Sequence, residues 1–134
     1  MTDHDLVPLY VAHPLGDGPE REVNRKRAAI WVGWLADRYL CAPVCTWITI
    51  AEVWPESKRE LGLAIDRALV EFCKLVVLVG DHVSPGMMAE SAWAEDVLDL
   101  TFPGCQLPEH LDEDNLPAID CIMQHAGINR RHHA

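Results

Sequence analysis

The chain has 134 residues, 49% of them hydrophobic and 24% charged, a size and balance that describe one folded domain with a proper core and exclude a disordered chain. Its 11 basic and 21 acidic residues leave a net charge of −10, which argues against a general nucleic-acid binder. A small anionic ligand stays open, because helix N-termini and local arginines supply positive field. No apolar stretch is long enough to span a membrane, the start MTDHD lacks a signal-peptide pattern, and an odd count of five cysteines predicts reduced thiols in a cytoplasm.

Leu6 to Ala12 (LVPLYVA) reads as the first strand, with Pro8 near its start, where proline is tolerable. The loop His13-Pro14-Leu15-Gly16-Asp17-Gly18-Pro19 follows at the strand's C-terminal end, where open α/β sheets bind ligands. Glycines before a helix can cradle phosphate, but Asp17 opposes one, and the pattern alone reads as a turn. Helix one is predicted from Pro19 or Glu20 to Tyr39. Its core face is Val23, Ala28, Ile30, Trp31, Trp34, Leu35 and Tyr39 at helical spacing. Arg21, Arg25, Lys26 and Arg27 form a basic face that reads as solvated surface.

Leu40 to Val44 is the second predicted strand, placed near a sheet edge by Pro43. Between Cys45 and Ser57 the chain carries Trp47, Ile48, Ile50, Val53 and Trp54, and both tryptophans read as core or interface residues. Cys41-x3-Cys45 lacks a second ligand pair at zinc spacing, so no metal site is expected. Helix two spans about Lys58 to Phe72, with Leu61, Ala64, Ile65, Ala68, Leu69 and Phe72 as its buried stripe. Asp66, one residue past Ile65, then faces solvent.

The stretch Leu75 to Ala94 holds the densest signal. Leu75-Val76-Val77-Leu78-Val79, ended by Gly80, has the continuous apolar character of a parallel strand buried on both faces. Ser84 is a good N-cap and Pro85 suits the first helical position. Gly86 then leaves the first free amides open to a ligand. Glu90 is too far into the helix for a capping box, whose N3 position falls on Met87. On pattern alone it is a surface glutamate, though its neighbours Met87, Met88, Ala89, Ala92, Trp93 and Ala94 are mostly apolar.

Val97 to Thr101 follows as a fourth parallel strand, Phe102 to Asn115 as a loop, and Leu116 to Ala126 as a last helix capped by Asn115 and ended by Gly127. Arg130-Arg131-His132-His133 reads as a frayed basic tail with surface histidines. The whole predicts a single α/β domain over residues 1–134. It is a Rossmann-like (flavodoxin-like) parallel sheet of about four to five strands flanked by helices. Its core covers about residues 6–101, with a C-terminal helix and tail over 112–134.

A strand ending in glycine, then Ser-x-Gly, then glutamate four residues later, resembles the nucleoside 2-deoxyribosyltransferase superfamily. That superfamily includes deoxyribosyltransferases and 5′-monophosphate N-glycosidases. The resemblance covers roughly Leu6 to Thr101 and is strongest from Arg59 to Ala94. It implies Glu90 as the nucleophile on the anomeric carbon, Tyr10 as the group hydrogen-bonded to it, and Asp66 as an acid contacting the base. It also implies a substrate-contacting loop with His13, Gly16 and Gly18, a structural role for Asn24, and a variable segment at the base pocket after Cys45. Relatives place an aspartate before strand three where this chain has Lys74. Relatives acting on free nucleosides tend to carry aspartate six residues before the nucleophile, and those hydrolysing nucleotides carry serine. Here it is Ser84.

The expected function is therefore N-glycosidic bond cleavage of a nucleoside 5′-monophosphate through a glycosyl-enzyme, with Ser84 and Gly86 at the phosphate and no cofactor. The alternatives are base exchange by a deoxyribosyltransferase, a non-catalytic nucleotide sensor, and a structural or partner-binding module. Expected partners are a small-molecule nucleoside or nucleotide and, by resemblance, further copies of the chain in a homodimer or higher homo-oligomer. Neither nucleic acid nor membrane is expected.

Overall fold

The computed structural model describes residues 5–49 and 55–132. Its elements are β1 (Val7–Ala12), α1 (Pro19–Arg38), β2 (Cys41–Val44), α2 (Arg59–Cys73), β3 (Leu75–Leu78), α3 (Pro85–Ala92), β4 (Asp96–Asp99) and α4 (Asn115–His125). The four strands pair in the order β2-β1-β3-β4, all parallel, an α/β Rossmann-like sheet. The central pair is the apolar one: Leu9 to Ala12 of β1 and Val76 and Val77 of β3 are fully buried. The edges carry what a centre could not: Pro43 in β2 and the acidic, exposed β4. After β4 the Asp99 carboxylate accepts the amide of Thr101 at 2.9 Å, which turns the chain two residues earlier than the apolar pattern suggests.

Alternation along β1 sends its side chains to two cores. Leu9 and Val11 join Trp31, Leu35, Tyr39, Ile119 and Met123. Tyr10 and Ala12 join Val70, Val76, Met87 and Trp47 on the other face. The hydroxyl of Tyr10 is thereby committed to the layer of α2 and α3.

Three expectations are corrected. Helix α1 buries Ala28, Trp31, Leu35 and Tyr39, but Val23 and Ile30 face solvent, because the sheet takes a narrower stripe than the apolar pattern offers. In α2 the buried positions are Asp66, Val70 and Cys73, while Leu61 and Phe72 are 50% and 76% exposed. That helix carries apolar residues on two faces, and the sheet packs against the one containing Asp66. The predicted solvent position of Asp66 is thus reversed.

The C-terminal tail is anchored rather than frayed as far as Arg131. Leu40 N donates to Asn129 O at 2.8 Å, Arg131 N to Arg38 O at 2.9 Å, and Arg131 Nε to Ala36 O at 2.7 Å. Helix α4 begins at Asn115, with Asp112 Oδ1 accepting the amides of Asp114 and Asn115 at 2.9 Å. It ends where Gly127 takes a left-handed φ of 81° and Ile128 N donates back to Met123 O. Lys74 caps α2 in a left-handed conformation at the lower end of the sheet, opposite the strand ends discussed next. Ile50, Val53 and Trp54 lie outside the described residues, as does His133.

Candidate active site

Strand β1 leads through α1 to β2 on one side, and β3 leads through α3 to β4 on the other. The chain therefore diverges at the C-terminal ends of β1 and β3, and a crevice opens between the two following loops. A cleft of about 440 Å³ occupies that crevice.

The first loop is held from within. His13 is buried, and its Nδ1–H donates to the Pro14 carbonyl at 2.7 Å, leaving Nε2 as the lone-pair nitrogen. Burial pushes its pKa down to about 4 against the opposing Pro14 bond, so the ring is neutral at physiological pH. The imidazole lies against Gly80, where a Cβ would stand 3.3 Å from His13 Cδ2 and where φ is +112°. Close approach and conformation both call for glycine there. Asn24 Nδ2 donates to Leu15 O at 3.0 Å, tying this loop to α1.

The second loop ends in the predicted cap. Ser84 Oγ accepts the amide of Met87 at 3.3 Å, and the Met87 sulfur in turn lies 3.3 Å from the Ser84 amide, so a thioether fills the place a glutamate holds in a capping box. Capping uses a lone pair of Ser84 Oγ and leaves its hydroxyl proton free to donate into the cleft.

Tyr10, Asp66 and Glu90 converge at the cleft floor from β1, α2 and α3. Glu90 and Asp66 line the cleft, with the Tyr10 ring fully buried beneath. Burial, then Glu90 and Asp66, push the Tyr10 hydroxyl far above its ordinary range, so it keeps its proton and serves as a donor. Burial pushes Glu90 up to about 7, opposed by the Tyr10 hydroxyl and reinforced by Asp66. Burial pushes Asp66 up to about 6, again opposed by Tyr10. One hydroxyl hydrogen faces two carboxyl groups, and the contacts fall short of well-formed bonds: Tyr10 Oη and Asp66 Oδ1 are buried without a hydrogen-bond partner among the described residues. The thiol of Cys45, just after β2, is pushed well up by burial and by the same two acids, and stays neutral.

Of the residues expected at the site, His13, Gly16, Asp66, Ser84, Gly86 and Glu90 line the cleft. Gly18 sits outside the cleft lining as the exposed N-cap of α1, with φ of 57°. Cleft residues missed in the sequence are Arg21, Lys58, Arg59 and the two tryptophans Trp47 and Trp93. Arg21 had a signal, since it lies in the first turn after a glycine loop at a strand's C-terminal end. The reading of a basic run as a solvated face hid it. Trp47 is both core and cleft wall. Among the described residues no three His, Cys, Asp or Glu side chains gather as a metal site, and no helix is long and apolar enough to cross a membrane.

No curated protein and no solved structure matches the chain. Residues 8–98, a span holding β1 but for its first residue, α2, α3 and the three clustered residues Tyr10, Asp66 and Glu90, match the family described as domain of unknown function DUF7768, and the chain belongs to that family.

Proposed function

We propose that the protein is an N-glycosidase acting on a nucleoside 5′-monophosphate. The observation that carries this reading is the convergence of Glu90, Asp66 and Tyr10 from three separate elements at the floor of a cleft. The cleft wall also bears Ser84, Arg21, Lys58 and Arg59. Two under-solvated acids sharing a proton near neutral pH suit a reaction that needs one carboxylate and one carboxylic acid at once. Glu90 is raised further than Asp66, so the reactive form, with the proton on Asp66, is the minor one.

In this mechanism the Glu90 carboxylate attacks the anomeric carbon while the carbon–nitrogen bond to the base breaks. Asp66 gives its proton to the departing base. Tyr10, held protonated, donates to Glu90 and fixes its orientation. Water then attacks the anomeric carbon of the glycosyl-enzyme, its proton passing to the Asp66 carboxylate, and Glu90 is released as the carboxylate. The Ser84 hydroxyl, the start of α3 and the basic side chains supply the field for a phosphate, which a carboxylate at position 84 would oppose. His13, being neutral with its Nδ1–H committed to Pro14, adds no positive field for the phosphate and offers Nε2 as an acceptor for a ligand hydroxyl.

The test is incubation with a panel of nucleosides and nucleoside 5′-monophosphates, following free base by chromatography. Glu90→Ala and Glu90→Gln run in parallel. Base released from monophosphates by wild type, and lost by ~10³-fold or more in both variants, is the expected result. Base exchange between nucleosides would make the protein a transferase, and turnover indifferent to Glu90 would overturn the mechanism. Binding without turnover would make it a sensor. The reading also carries a homo-oligomeric state, for which the exposed apolar positions Leu61 and Phe72 of α2 give a surface. Light scattering of wild type and Phe72→Asp reads it directly.

A further inference from the structure

Helix α3 lies along the cleft, and seven positions of one continuous stretch line it, among them, in order, Ser84, Gly86, Glu90 and Trp93. At about 1.5 Å of rise per residue, Glu90 stands ~9 Å beyond Ser84 and Trp93 ~4–5 Å beyond Glu90. Residues three apart share a helix face, so the carboxyl group and the indole emerge on the same side. A phosphate, a sugar and a heterocycle follow one another in that same order in a nucleotide.

The indole of Trp93 is supported from behind. The Arg67 guanidinium carbon lies 5.7 Å from its ring centroid, and Arg67 is itself held by Glu71 at 3.0 Å. Trp93 lines the cleft, and Arg67 is not among the described residues that do. Trp93 also packs against the buried cluster containing Met87 and Trp47, and Trp47 lines the same cleft. Trp93 itself is the C-cap of α3, at the opposite end of the helix from Ser84.

We infer that Trp93, backed by Arg67, is the platform on which the ligand's planar aromatic ring stacks, with the ligand laid along α3 from Ser84 to Trp93. The inference rests on the nucleotide reading of the cleft and adds the residue that selects the ring. Asp66, from the neighbouring helix, then meets the edge of a ring whose face rests on the indole.

The test measures binding rather than turnover. In a Glu90→Gln background, which holds substrate intact, calorimetry compares adenosine and cytidine 5′-monophosphates with ribose 5-phosphate, which has no ring. Trp93→Leu keeps apolar packing and removes the π face, and Trp93→Phe restores it. Trp93→Leu is expected to weaken both nucleotides by about 10- to 100-fold while ribose 5-phosphate changes by less than about twofold, and Trp93→Phe to regain most of the loss. Equal weakening of all three probes, or no change for the nucleotides, overturns the inference. Ring-dependent binding without turnover by wild type would sink the glycosidase reading and leave the stacking platform standing. Turnover through Glu90 with Trp93→Leu indifferent would do the reverse, and absence of any nucleotide affinity in the Glu90→Gln protein overturns the platform.

Discussion

Two tyrosines of this chain each meet acidic side chains, at opposite ends of the sheet, and their surroundings are opposite in kind. At the lower end, Tyr39 Oη donates to Asp120 Oδ1 at 2.5 Å, and Arg38 grips the same carboxylate through Nε and Nη2 at 3.0 and 2.8 Å. Burial disfavours the charge on Asp120, but the bonds from Arg38 and Tyr39 overcome it and hold the carboxyl below its ordinary range. Arg38 also lies over the rings of Trp34 and Tyr39. Every strong group there has a partner. At the upper end, Tyr10 faces Asp66 and Glu90; among the described residues no cation joins that cluster and two of its buried atoms lack partners, and both acids are raised. A satisfied cluster holds elements together, here α1 to α4, whereas an unsatisfied one stores a demand that a ligand can meet.

The comparison is sharpened most by crossing the two clusters. Glu90→Gln should abolish base release and leave the fold intact, while Asp120→Ala should leave the chemistry intact and cost about 2–4 kcal/mol of stability, read by urea denaturation. A fall in stability in the first, or a collapse of kcat in well-folded second variant, would erase the distinction between them. Asp66→Asn should lower kcat by ~10²-fold or more and remove the alkaline limb from a pH profile that in wild type peaks between the titrations near 6 and 7. The acid limb marks protonation of both carboxyl groups, the alkaline limb loss of the last shared proton, so an unchanged alkaline limb would exclude Asp66 as the donor.

Stability should follow pH in opposite senses at the two ends. Glu90 has a raised folded pKa, so its contribution is full below the ordinary value of 4.5 and is lost as pH rises through about 7. Asp120 has a depressed one, so its contribution is present above 3.8 and is lost as pH falls through its lower folded value. Glu90→Gln should therefore be more stable than wild type at pH 8, by about 2–3 kcal/mol, with the gain gone at pH 4. An equal difference at both pH values would contradict the half-buried, desolvated placement of the Glu90 carboxyl. The smallest effect belongs to Ser84→Asp, which keeps a good N-cap and should move stability by less than about 0.5 kcal/mol. The same change should weaken binding of monophosphates about tenfold relative to nucleosides, measured by calorimetry.

The sequence by itself determined the alternation of strands and helices, the buried character of β3, the edge position of β2 and the cap at Ser84. Each rests on short-range chemistry: an apolar run, a proline, a serine before a proline. Glu90 is singled out by the family resemblance, since pattern alone leaves it a surface glutamate with apolar neighbours. Tertiary structure decided which face of α2 is buried, and so whether Asp66 is a surface acid or a member of the site. The pattern offered Leu61 and Phe72 for burial, but the sheet packs on Asp66, Val70 and Cys73. It likewise decided that the basic tail is anchored by Arg131 and that Arg21, Trp47 and Trp93 share one cleft. A helix with two apolar faces does not state which will meet the sheet, and residues far apart in sequence meet only once strand order sets the crevice between β1 and β3.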